Sequence, residues 1–171
     1  REFRRDYPNI NIQLDQFNHG VLIESLNNGE LDLGFTLGFG IDKIDELERK
    51  NIFTETISVV MHSDHPLARN TSINISELSK EDFIVLNKEE SPQGFNQTLL
   101  ICANNGFSPN IVSEPRLLST VLMLVDSGMG IAILPKSLNL NSSPSLRFVD
   151  IIGEKVEYEL VVAWKKDTMN P

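Results

Sequence analysis

Three times along this chain a helix-patterned apolar stretch runs into a glycine and gives way, within a few residues, to a short β-type run. Val21, Leu22, Ile23 and Leu26 lead into Asn28-Gly29 and then Leu31–Phe35. A helix opened by Ser91-Pro92 and reaching about Asn105 is closed by Gly106 ahead of Pro109–Ser113. The strongly apolar stretch Leu117–Ser127 ends at Gly128 ahead of Ile131–Leu134. Glycine ends helices because, lacking Cβ, it enters the left-handed conformation that caps the last carbonyls. Proline suits the first helical turn, where its missing N–H is no loss. Helices and strands alternating over such short connections predict an α/β sheet.

The rest of the chain extends that rhythm. REFRRDY reads as a short helix stopped by Pro8-Asn9. It has no N-cap and hardly any length, so the chain reads as a piece of a longer protein. NINIQLDQF alternates, with Ile10, Ile12, Leu14 and Phe17 on one side, and predicts a strand before Asn18-His19-Gly20 turns into the next helix. A long β-branched run covers 52–62, His65-Pro66-Leu67-Ala68 makes a turn, Ile75–Leu78 a helical turn and Phe83–Leu86 a strand. LRFVDI and YELVVAW add two strands after the Asn/Ser-rich loop at 139–145. The middle thus repeats the β–α–β–α–β order of the start. Two small α/β lobes joined by crossover strands near 52–62 and 131–150 fit this better than one sheet, the central lobe being inserted in the other.

Composition narrows the function. The net charge is −9, and the 15 Lys and Arg are scattered, with small clusters at Arg4-Arg5, Arg49-Lys50 and Lys165-Lys166. A surface that grips nucleic acid exchanges counterions with phosphate through a basic face. None is visible, so this chain is not expected to hold DNA or RNA by itself. No apolar run approaches the roughly 20 residues that span a bilayer, so no membrane contact is expected. The single cysteine, Cys102, lies among Leu99, Leu100 and Ala103 in a helical pattern and reads as a core thiol in a chain from a reducing, cytoplasmic compartment.

Each candidate for chemistry has a plainer reading beside it. Gly128-Met129-Gly130 resembles the start of a phosphate loop, but it follows a helix and precedes a strand and has no third glycine. A dinucleotide fingerprint needs the opposite order. A helix cap followed by a close turn into the next strand accounts for it. The cluster Gly34–Gly40 fits neither a dinucleotide nor a P-loop pattern, yet it places Thr36 at the carboxyl end of what reads as a parallel strand, where open α/β sheets bind ligands. His62 and His65, followed by Pro66, read as a polar turn rather than a metal site, and no cofactor is expected. No nucleophile motif is present, and Asp45-Glu46 and Glu89-Glu90 read as solvated faces. The segment Glu89–Asn96 joins a strand's carboxyl end to a helix N-terminus. Unpaired N–H groups and the helix dipole there favour an anion, especially a carboxylate. Gly94 would admit a ligand close to the backbone and Phe95 would supply an apolar wall; the alternative is that Ser91 simply caps the helix.

FRRDYP (3–8), LNNGELDLGF (26–35), HPLA (65–68), NNGFSPNI (104–111) and LVDSGMGIAILP (124–135) are each weak signals. In this order and spacing, they make the chain resemble the effector-binding domain of LysR-type transcriptional regulators, over nearly all 171 residues. The resemblance implies an α/β fold of two Rossmann-like subdomains joined by crossover strands, like a type 2 periplasmic binding protein, with a small effector between them. The first subdomain would be 1–58 plus 142–171 and the second 59–141. The family's N-terminal winged helix-turn-helix is absent from this chain, and so are the first strand of the effector domain and the loop after it. Carried over by position, Thr36, Gln93, Gly94, Phe95, Asn96 and Pro115 are the implied effector contacts, and Ser91, from the reading of the helix start, is counted with them. The resemblance also implies homodimers or homotetramers, with Phe3, Tyr7, Leu99 and Leu100 as interface candidates, and DNA contact only through the missing domain. RNA polymerase stays open as a contact of the full-length protein. A stand-alone solute-binding protein for transport and an enzyme on a similar two-lobe scaffold are the alternatives to a non-catalytic sensor.

Overall fold

A computed structural model describes residues 2–38, 40–153 and 157–166. The helices are α1 (Glu2–Asp6), α2 (His19–Asn28), α3 (Pro92–Asn104) and α4 (Leu118–Asp126). The strands are β1 (Gly34–Leu37), β2 (Leu47–His62), β3 (Ser72–Ile73), β4 (Asp82–Ile84), β5 (Asn110–Ser113), β6 (Ala132–Pro135), β7 (Leu146–Ile151) and β8 (Glu157–Lys165). The three glycines that punctuate the sequence have positive φ: Gly29 (75°), Gly106 (85°) and Gly128 (76°). At α2 the N–H of Gly29 donates to Leu26 O and that of Glu30 to Ser25 O, which satisfies the last carbonyls of the helix.

β2 holds the molecule together. Residues 47–56 of this 16-residue strand pair antiparallel with β8; from Ile57 onward its partners change to β6 on one edge and β7 on the other. β8 also pairs with β1, and α2 packs on the β1–β8–β2 sheet through Leu26, Leu47, Val161 and Ala163. Gly34 permits that close packing, since a Cβ there would lie 2.8 Å from Leu22 Cδ2 and 3.0 Å from Leu26 Cδ1. β7 takes the parallel partner β3, β4 and β5 pair in parallel, and a parallel bridge between Phe83 and Ile131 ties β4 to the residue before β6.

In the second sheet, formed by the end of β2 with β6, β7, β3 and the bridged β4, the end of β2, β4 and β6 are covered on both faces, which explains why they read as unbroken apolar runs rather than alternating ones. Successive side chains point to opposite faces, and the core divides accordingly. Ile57, Val59, Met61, Phe83, Val85 and Ile131 join Ile101 and Cys102 of α3 on one side. Val60, Ile84, Ala132 and Leu134 join Val121 and Val125 of α4 on the other.

Two expectations fail. Residues 10–17 form no strand, and Ile10, Ile12, Leu14 and Phe17 are exposed, Leu14 at 87%. Alternation makes a strand only when a neighbouring strand accepts its N–H and C=O groups, and no described strand lies alongside. β1 also starts at Gly34, later than the apolar run suggests, and its described partner β8 is antiparallel. Thr36 therefore lies within an antiparallel strand, not at the end of a parallel one.

Candidate ligand-binding site

A cavity of about 190 Å³ lies where the two sheets meet, and both contribute to its wall. The α2 side supplies His19, Thr36, Leu37 and Tyr158. The α3 side supplies Val85 and Leu86 beyond β4, Ser91, Gln93, Gly94, Gln97 and Thr98 around the start of α3, Leu118 at the start of α4, and Ile133–Pro135 of β6. Ile57 stands between them, at the point where β2 changes partners. Among the described residues, no Lys, Arg, Asp or Glu belongs to this wall. The lining is aliphatic with a few polar groups, the usual make-up of a small-molecule site.

Two helices begin at the cavity. α2 is capped by Asn18, whose Oδ1 accepts from Val21 N at 2.9 Å. The next residue, His19, meets the Thr36 hydroxyl through Nδ1 at 2.8 Å. At α3 the Ser91 side chain makes no capping bond, which removes the plain capping reading of that residue. Pro92 has no N–H, and the amides of Gln93 and Gly94 precede the first intrahelical bond, Phe95 N to Ser91 O at 3.0 Å. Both residues line the cavity, and their amides lie at the positive end of the helix dipole. Thr98 Oγ1 is satisfied within the helix, donating to Gly94 O at 3.1 Å.

Of the residues expected from sequence, Thr36, Ser91, Gln93 and Gly94 are brought together in this wall. Phe95, Asn96 and Pro115 are not, and helical spacing explains the first two. Phe95 shares a face with Thr98 and Cys102, three and seven residues on, so its ring packs against the core instead of lining the cavity. Asn96 lies in line with Leu99 and Leu100 on the exposed face. Pro115 acts through its backbone, its carbonyl accepting from Asn87 N at 2.8 Å and fixing the strap that carries 87–91. Sequence reasoning missed His19, Gln97, Ile57 and Tyr158. The logic applied to the start of α3 applies equally to Asn18-His19 at the start of α2 and finds His19; Gln97 is one turn beyond Gln93. Ile57 and Tyr158 carry no local signal, since only the meeting of the sheets puts them there.

At the rim Glu90 accepts from Arg116 through Nε at 2.9 Å and Nη2 at 2.7 Å, and from Asn18 Nδ2 at 3.0 Å. The Arg116 guanidinium, with help from Asn18, holds the Glu90 carboxyl below the usual carboxylate range. Elsewhere, His65 is occupied as a turn residue, accepting from Leu67 N and facing Glu81. Among the described residues no group of three His, Cys, Asp or Glu is placed to hold a metal ion. No helix among them is long and apolar enough to cross a membrane.

The LysR substrate binding domain family model matches residues 1–171. The HTH-type transcriptional regulator YnfL of Escherichia coli K12 is 30% identical over 164 residues, 96% of this chain and 54% of that protein. The chain thus spans about half the length of this relative. Among solved structures, the effector binding domain of BenM with its effector benzoate superposes with a TM-score of 0.79 at 22% identity, covering 98% of this chain and 75% of that one. The regulatory domain of CcmR from Synechocystis PCC6803 in complex with 2-PG gives 0.80 at 22% identity, over 98% and 79%. The fold is accordingly the periplasmic-binding-protein-like arrangement of two α/β subdomains. With the match running the whole length of the chain, it belongs to the LysR substrate-binding domain family.

Proposed function

We propose that this chain is the effector-sensing part of a LysR-type transcription regulator. A small molecule binds between the two lobes and favours one relative orientation, which repositions DNA-binding segments attached outside this chain. The observation that carries the reading is the cavity itself, built by both lobes, apolar in body and polar where two helices begin. A ligand touching both lobes can shift their orientation only by its differential affinity for the two arrangements, and a wall shared between lobes supplies that difference. The lobes are taken to divide as 1–58 with 142–171 and 59–141, with β7 hydrogen-bonded into the second sheet.

The wall favours a small effector with an apolar body and one polar or carboxylate head. Thr36, Ser91, Gln93 and Gly94 contact it, joined by His19, while Phe95, Asn96 and Pro115 hold the surrounding structure. Donors are available from the side chains and free amides at the start of α3, and among the described wall residues no Lys or Arg stands ready to pair with a second or third negative charge. DNA contact belongs to a segment outside this chain, whose own charge of −9 opposes it. A cytoplasmic location suits that role. The exposed Phe3, Tyr7, Leu99 and Leu100 are offered as self-association contacts, the Phe3 and Tyr7 rings already in tilted contact with centroids 5.0 Å apart. The regulator names of its relatives favour this reading over transport or catalysis.

Thermal unfolding against benzoate, phenylacetate and short aliphatic monocarboxylates, each with its amide and a dicarboxylate counterpart, tests the proposal. A ligand at a hundred times its Kd stabilises by about 2.7 kcal/mol. At about 2–4 °C per kcal/mol for a chain of this size, that raises Tm by about 5–11 °C. A dicarboxylate that outperforms every monocarboxylate would contradict the assigned class. A panel with no shift at all would count against effector binding.

A further inference from the structure

Asn18 does two things with one side chain. Its Oδ1 caps α2, and its Nδ2 donates to Glu90 Oε2, 72 residues away in the other lobe. Glu90 turns its other oxygen to Arg116. Each of the three is tied to the cavity wall by the chain: Asn18 precedes His19, Glu90 precedes Ser91, and Arg116 is two residues before Leu118. Glu90 also sits on a braced strap, since Glu90 N and Ser91 N both donate to Asn87 O and Asn87 N donates to Pro115 O. The carboxylate is therefore held from its own lobe by Arg116 and offered to the opposite lobe, where Asn18 is fixed by its capping bond. Asn18 and Arg116 are exposed, but each is fixed by a second hydrogen bond rather than free.

We propose that Asn18, Glu90 and Arg116 form a clasp across the mouth of the cleft that holds the lobes together over the cavity in the absence of ligand. The clasp rests on the reading of this cleft as the effector site. It sets the fraction of molecules in the closed arrangement, and so the apparent affinity for any ligand that needs both walls. It also makes the start of α2 a transmitter, because a shift of Glu90 pulls on the residue that caps the helix carrying His19.

The test uses no effector, so it stands apart from the fate of the ligand panel. Residual dipolar couplings of the backbone amides report whether one alignment tensor fits both lobes. Asn18→Asp keeps an equally good N-cap but sets a carboxylate against Glu90. The common tensor is expected to be lost while the amide shifts of 21–28 stay helical. Adding Glu90→Gln to the same molecule reverses the donor, the new carboxamide giving an N–H to the new carboxylate across the cleft, and is expected to restore the single tensor. Arg116→Gln leaves the α2 cap untouched and is expected to loosen the lobes partway. A single tensor retained in both Asn18→Asp and Arg116→Gln would overturn the clasp. So would lobes that separate in Asn18→Asp without rescue by the double substitution.

Discussion

Gly130 gives the sharpest test of how this sequence determines its fold. A Cβ built at this position would lie 2.6 Å from the carbonyl oxygen of Asp82, 3.2 Å from its carbon and 3.3 Å from Ile84 Cγ1. The Asp82 oxygen is itself engaged, accepting from Ile131 N at 2.8 Å, while Ile84 N donates to Ile131 O at 2.8 Å. These two bonds tie β4, and β5 behind it, to the strand β6. A methyl group at Gly130 has backbone for a neighbour and cannot be relieved by rotating a side chain. It must push Asp82 away and stretch bonds next to Ile131, which is 1% exposed. Overpacking costs about 1–3 kcal/mol, and a weakened buried hydrogen bond costs about 1 kcal/mol more. Gly130→Ala is therefore expected to lose about 2–4 kcal/mol, a Tm drop of about 4–16 °C by calorimetry, and Gly130→Val more. Two neighbours calibrate the measurement. Gly128→Ala has open space but must hold φ at +76°, which costs about 1 kcal/mol for a residue with Cβ. Met129→Ala removes an exposed side chain and should stay within about 0.5 kcal/mol. If Gly130→Ala melts within about 2 °C of the parent, the shift of about 0.5–1 kcal/mol, the close-approach argument fails. If Gly128→Ala proves the costlier change, backbone conformation rather than contact is what selects glycine in this turn.

Two further outcomes follow from buried groups. Ser58 Oγ is fully buried and lacks a hydrogen-bond partner among the described residues. Ser58→Ala should leave the urea midpoint unchanged or raise stability by about 1 kcal/mol, and a loss above about 1 kcal/mol would show an unrecognised bond. Burial pushes the Cys102 thiol from 9.0 up to about 11 and the Tyr158 phenol from 10.0 up to about 12. Both raised values favour the neutral, folded form. Their stabilisation is complete below about pH 9 and is lost as pH climbs through about 9–11 for the thiol and about 10–12 for the phenol. Urea midpoints should fall progressively over that range. A thiol reagent at about pH 8, below the thiol's ordinary pKa, should label Cys102 only on unfolding; fast labelling of the native chain would refute the assigned burial.

The parts of the fold that were legible are those set by neighbours in sequence. Helix ends follow from glycine and proline, and the second sheet's apolar runs follow from helices covering both faces. The cavity was half legible for the same reason. The start of α3 is a local object, readable from Ser91-Pro92 and Gly94, whereas Ile57 and Tyr158 reach the wall only because β2 changes partners beside them. Phe95 shows the opposite case: an aromatic beside the candidate site has a spacing to Thr98 and Cys102 that sets its ring against the core rather than in the cavity wall.

Residues 10–17 are the most instructive disagreement, because the pattern there is as regular as in β8, which does form. YELVVAW alternates, and β8 pairs with β1 on one edge and β2 on the other. NINIQLDQF alternates, and no described strand takes up its N–H and C=O groups. Alternation therefore specifies which side chains would share a face; a ladder forms only where a second edge is supplied. The difference is measurable by hydrogen exchange in this chain. The amides of 11–16 should exchange at close to the rate of an unstructured peptide, while those of Val161 and Ala163, fully buried between two strands, should approach the global unfolding limit. Leu14→Lys, at 87% exposure, should accordingly change stability by less than about 0.5 kcal/mol. Protection across 11–16 comparable to that of β8 would mean the segment has found an edge to pair with. The alternation would then be a better guide to this region than its exposed conformation.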